Sequence, residues 1–76
     1  MNRRDAQQQL SELAQAVRDG KVLKSDDYPV LSIETRSGIS LWELSATRAI
    51  AEGWSSTDAA NWYEHEAIDM LVLDEE

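Results

Sequence analysis

The residues best placed to do chemistry lie close together near the C-terminal end: Glu64, His65, Glu66 and Asp69. On a helix, His65 and Asp69 stand four apart on one face and could grip an ion together, with Glu64 or Glu66 alongside. Two or three ligands on one open helical face do not close a metal site, and the chain offers one histidine and no cysteine. Asp26 and Asp27, the next carboxylate pair, fall in a turn-forming run. Serines are plentiful, but no nucleophile motif accompanies them. The sequence therefore predicts a protein that is not an enzyme and uses no metal or cofactor.

Charge is more distinctive. The formal net charge is -8 and the isoelectric point lies near 4.4. Beyond Ala49 come Glu52, Asp58, Glu64, Glu66, Asp69, Asp74, Glu75 and Glu76, with no lysine or arginine among them. All seven basic residues precede Ala49. Such a chain repels a phosphate backbone and an anionic membrane and is drawn to basic protein surfaces. Acidity of this kind also serves solubility alone, and composition does not separate the two uses. The N-terminus, MNRRDAQQQL, has no apolar run behind its arginines, and no stretch approaches the ~20 apolar residues that cross a bilayer. A cytoplasmic protein without membrane contact is expected.

The elements that must position these groups are those of one small domain, residues 1–76. Ala6, Leu10, Leu13, Ala14 and Val17 recur at helical spacing and predict a helix over residues 4–19, stopped by Gly20. Residues 21–28 read as a linker, and Pro29 pushes Tyr28 toward an extended backbone. Residues 30–35, VLSIET, carry a strand pattern with Leu31, Ile33 and Thr35 on one face. Arg36 to Gly38 make a turn, after which residues 39–41 could pair back as a hairpin.

Ser40 and Glu43 have capping-box spacing and open a second helix over about 41–52. Its inward face is expected to be Trp42, Ala46, Ala49 and Ile50, with Leu41, Leu44 and Ala51 on the other side. Gly53 ends it, and Ser55 or Ser56 caps a third helix with Asp58 in its first turn. That helix carries Ala60, Tyr63, Ala67, Met70 and Leu71 on one face. The uninterrupted Met70, Leu71, Val72 and Leu73 cannot all be buried by a one-sided helix. They predict either a terminal strand pairing with residues 30–35 or an apolar seam for a homodimer. The expected class is α+β and mostly helical: three helices, a short strand or β-hairpin between the first two, and a C-terminal strand.

Ala49, Gly53 and Ala59 have helix-turn-helix spacing, and Trp62 falls where an apolar residue packs the second helix on the first. The run PVLSIETRSGISLWELSATRAIAEGWS also resembles small antitoxin proteins through Thr35, Arg36, Ile39, Glu52, Gly53 and Ser55. Its Thr-Arg pair lies further from the glycine than in that family. That resemblance implies a strand leading into a helix and a turn.

As a DNA reader, however, the last helix is poorly equipped. It carries Asp58, Glu64, Glu66 and Asp69 without a cation to neutralise phosphate, and only Asn61 to read a base edge. A dimeric helix-turn-helix DNA-binding regulator is therefore the second reading. The first is a small acidic inhibitor or regulator that binds a basic, nucleic-acid-handling protein, makes no direct contact with nucleic acid, and resembles anti-CRISPR proteins and antitoxins in size and charge. Its expected contacts are Glu64, Glu66, Asp69 and Asp58 as carboxylates, with Trp54 as an apolar anchor.

Overall fold

A computed structural model describes residues 1–73; the acidic tail residues Asp74, Glu75 and Glu76 lie outside the described residues. The first helix, α1, spans Arg3–Arg18. Asn2 caps it by accepting the Asp5 N–H through Oδ1 at 2.9 Å, and Asp5 meets the positive end of the helix dipole. Ala6, Leu10, Leu13 and Ala14 form the buried stripe that their spacing predicts; Val17, expected in it, is half-buried, and Ala16 is buried instead. At the far end Gly20, at φ 78°, closes a double cap: its own N–H reaches Val17 O and that of Lys21 reaches Ala16 O.

The expected strand at residues 30–35 is a 3-10 helix instead, Pro29–Ser32. Pro29 holds φ where a helical turn can begin and gives up an N–H that such a turn would leave unpaired. The next donor, Val30 N–H, is taken by the Gln9 side chain of α1 at 3.0 Å. A strand would turn Val30 and Leu31 to opposite faces, whereas the tight turn buries both completely.

The turn at Arg36–Gly38 does fold the chain back. Thr35 N–H bonds Ile39 O and Leu41 N–H bonds Ile33 O. The pairing amounts to one isolated bridge, Glu34 with Ser40, and not to a hairpin. The expected C-terminal strand is likewise a single antiparallel bridge, Leu71 with Thr35, flanked by bonds from Arg36 N–H to Met70 O and from Val72 N–H to Glu34 O. Among the described residues no strand forms, so the fold is helical and the α+β expectation is corrected. Too few residues extend on either side of Thr35 to propagate a ladder, because helices begin at Leu41 and end at Met70.

Helix α2, Leu41–Glu52, starts where Ser40 Oγ accepts the Glu43 N–H and stops at Gly53 in the left-handed conformation. Its buried residues are Leu41, Leu44 and Ser45. The expected inward face was Trp42, Ala46, Ala49 and Ile50, and it is the open one: Ala46 is exposed, Trp42 and Ala49 are half-buried, and Ile50 is 86% exposed. Two apolar arcs on one helix compete for the core, and the leucines occupy it.

The third helical rod runs through α3 (Ser56–Asn61), a π-helical turn (Trp62–Glu66) and α4 (Ala67–Met70). Ser55 and Asp58 cap it reciprocally, Ser55 Oγ accepting the Asp58 N–H and Asp58 Oδ2 accepting the Ser55 N–H. The Ala67 N–H reaches back five residues to Trp62 O. This wider turn rotates the apolar positions so that Trp62, Tyr63, Ala67 and Ile68 are all buried, a set that a regular 3.6-residue period does not align. Alanines on both partners (Ala6 and Ala14, Ala60 and Ala67) let α1 lie close along this rod.

The Met70–Leu73 run is thereby largely accounted for. Leu71 is buried beside Thr35, Met70 and Leu73 pack against the core, and Val72 stands 55% exposed. No helix among the described residues is long and apolar enough to cross a membrane.

Candidate protein-binding surface

The carboxylates of the last rod separate into two groups. Glu64 and Asp69 face α1 and its arginines. Arg18 Nη1 lies 2.6 Å from Glu64 Oε1, while its Nη2 donates to Asn61 Oδ1 at 3.1 Å. Gln7 adds a bond to the Glu64 carbonyl at 3.4 Å. Asp69 is 3.3 Å from Arg3, a pair exposed on both sides and so of little energetic weight. The basic N-terminal half thus neutralises part of the acidic half within the fold.

His65, two-thirds exposed, sits 3.2 Å from Glu64 Oε2. The π turn takes it out of the simple i, i+4 register with Asp69, whose carboxylate faces Arg3.

Glu64 is held below the usual carboxylate range, first by the hydrogen bond from Arg18, against the opposing pull of burial, then by the charges of Arg18 and His65. A lowered folded-state pKa favours the ionised form on folding. The resulting stabilisation is complete above the ordinary carboxylate range and disappears as pH falls through the lowered value. Arg18→Gln should therefore be less stable than wild type at neutral pH, with the gap narrowing from about pH 6 to about pH 3. Urea midpoints across that range check it. The gap left at low pH reports the lost Asn61 bond, and a gap that never narrows would remove the charge from the account.

The second group faces the opposite way. Glu66 and Glu52, both exposed, line a recess of about 390 Å³ with Asp58, Asn61, Trp54 and Trp62. Neither Glu52 nor Glu66 is paired with an arginine or lysine among the described residues. Trp54, half-buried, stacks at 5.4 Å and 40° on the buried Trp62 and forms the partition between this recess and a second one.

That second recess is an open apolar groove of about 280 Å³. Trp42, Ala46 and Ala49 of α2 form one wall, Val17 and Leu23 another, and Ala59 and Trp54 close the end near the turn. Its polar floor is internally satisfied: Tyr63 donates to Ser45 Oγ at 2.7 Å, and Ser45 donates to Trp42 O at 3.0 Å. Burial raises the Tyr63 pKa against the opposing effect of that hydrogen bond, so the phenol is neutral at physiological pH. The groove exists because α2 leans on the 3-10 turn and makes few close approaches to α3. A helix-turn-helix pair of tightly packed partners is not what α2 and α3 form.

Of the five residues expected to contact a partner, Glu66, Asp58 and Trp54 are thus brought together, while Glu64 and Asp69 are engaged by α1. Glu52 joins the first three in the recess, and Trp42, Ala46 and Ala49, an apolar arc that the sequence pattern places in the core, line the adjoining groove.

Neither protein-family models, curated proteins nor solved structures give a match to this chain. What the structure shows is a small helical protein with an acidic recess and an apolar groove side by side.

Proposed function

We propose that this protein is a small acidic regulator that binds another protein and occludes a basic surface used for handling nucleic acid, the mode of action of anti-CRISPR-type inhibitors and antitoxins. The observation that carries this reading is the grouping of Glu52, Asp58 and Glu66 beside Trp54, none of them in an ion pair with a lysine or arginine among the described residues. Within a chain of net charge -8, carboxylates not neutralised at home repel one another until a cation arrives. They accelerate encounter with a basic partner, and a buried aromatic slows its departure.

The test uses the immobilised full chain and proteins of its native host. A partner that is retained at low salt, released at high salt and displaced by excess duplex DNA is the expected result. Capture only of proteins indifferent to DNA overturns the reading. Retardation of duplex DNA by the protein alone at low salt would support the helix-turn-helix regulator instead. Charge reversals in such work belong at Glu52 and Glu66, since a lysine at Glu64 would face Arg18 and perturb the fold, and Asp69 is turned toward Arg3.

A further inference from the structure

We infer that the apolar groove and the acidic recess are one docking surface, joined at Trp54, for a basic amphipathic segment of the partner protein. Apolar side chains of that segment enter the groove, and its arginines or lysines lie over Glu52 and Glu66. This rests on the reading above and adds the place and form of the contact.

Two observations meet here. The first is an incompletely covered helix face: Trp42, Ala46, Ala49 and Ile50 follow one another at helical spacing along α2, Trp42 packing in part on the core, Ala49 half-buried, and Ala46 and Ile50 exposed. Ile50 is 86% exposed, and Val22, beside the lining residues Lys21 and Leu23, is 90% exposed. The two most exposed large apolar side chains of the described residues are thus immediate chain neighbours of groove-lining residues, without lining the groove themselves. The second is charge complementarity. Trp54 lines both recesses, so the groove borders on carboxylates that form no ion pair with a lysine or arginine among the described residues. A second copy seated through the same face fits poorly, because two acidic recesses would then meet. An enclosed small-molecule site is also a poor fit, since the groove is open and at the low end of ligand-pocket volumes.

The probe is a synthetic amphipathic helix of about four turns with leucines on one face and arginines on the others, alongside the same peptide with serine for leucine. Binding is followed by calorimetry and by the fluorescence of the tryptophans. Ala49→Trp fills the groove, and Ala46→Arg provides a second variant on its exposed wall should the first fail to fold. The double variant Glu52→Lys, Glu66→Lys reverses the recess. Glu12→Lys with Glu34→Lys makes the same charge change at exposed positions lining neither recess.

Wild type should prefer the leucine peptide, and the groove variant and the recess pair should each weaken it about tenfold or more, a hot-spot effect. The control pair should change it by about twofold at most. Equal loss in the control pair, or full binding by both groove variants, overturns the docking surface while leaving a basic partner in place. A wild-type dimer in sedimentation that Ala49→Trp dissolves assigns the groove to a second copy and overturns it as well. Failure of both arginine peptides to bind at low salt sinks the docking surface and the basic-partner reading together.

Discussion

Trp62→Ala should lower the unfolding free energy by about 3–5 kcal/mol, whereas Trp62→Phe should stay within about 1 kcal/mol of wild type. Trp62 is 3% exposed and lies between two aromatic neighbours, tilted against Trp54 and edge-on to Tyr63 at 5.5 Å. Truncation to alanine removes that apolar area and leaves a cavity beside the bridging tryptophan. Phenylalanine keeps most of the ring. It also removes the indole Nε1–H, which is buried without a hydrogen-bond partner in the protein. An unpaired buried donor costs about 1–3 kcal/mol, which offsets the packing lost with the smaller ring. Urea denaturation followed by circular dichroism separates the two outcomes, and a Phe variant as weak as the Ala variant would refute the unpaired donor. For 76 residues a total stability of roughly 4–11 kcal/mol is expected, so the alanine variant should be marginal at best.

The second large effect is expected in the 3-10 turn. Leu31→Ala should cost about 2–5 kcal/mol, and Val30→Ala about 2 kcal/mol from the lost burial of its methyl groups. Both side chains are completely buried between α1 and α2. The pair discriminates between backbones. In a strand, Val30 would point away from Leu31 and its truncation would be nearly silent, while in the turn both changes empty the same core. Denaturation midpoints of the two single variants settle which holds. A silent Val30→Ala would restore the strand.

Much of the helical framework was legible because its signals are local. The α1 stripe of Ala6, Leu10, Leu13 and Ala14, the Ser40 and Ser55 caps, and the glycines at 20, 38 and 53 each act within a few residues. Gly53 illustrates the reason: it ends α2 at φ 65°, where a side chain would meet its own backbone, so the stop is written into one residue type.

The errors share a cause. Val30 to Thr35 have strand propensity, but a ladder needs a neighbour, and among the described residues the only neighbours offered are Ser40 and Leu71, one bridge each. The π turn is invisible to a fixed period because its extra residue is set by how Trp62, Tyr63 and Ile68 fit against α1. Which apolar arc of α2 is buried depends on what lies opposite it.

The candidate surface divides along the same line. Residue order alone set the charge asymmetry, the clustering of tryptophans and the poverty of catalytic side chains, since these are properties of composition and position. It did not distinguish Glu64 from Glu66, two residues apart on one rod. Tertiary packing did, by laying α1 along that rod so that Arg18 reaches Glu64 while Glu66 turns toward Glu52 and Trp54. Charge content is carried by the chain itself. Which charges remain free for a partner is decided by pairs 46 and 66 residues apart, which only a folded chain can form.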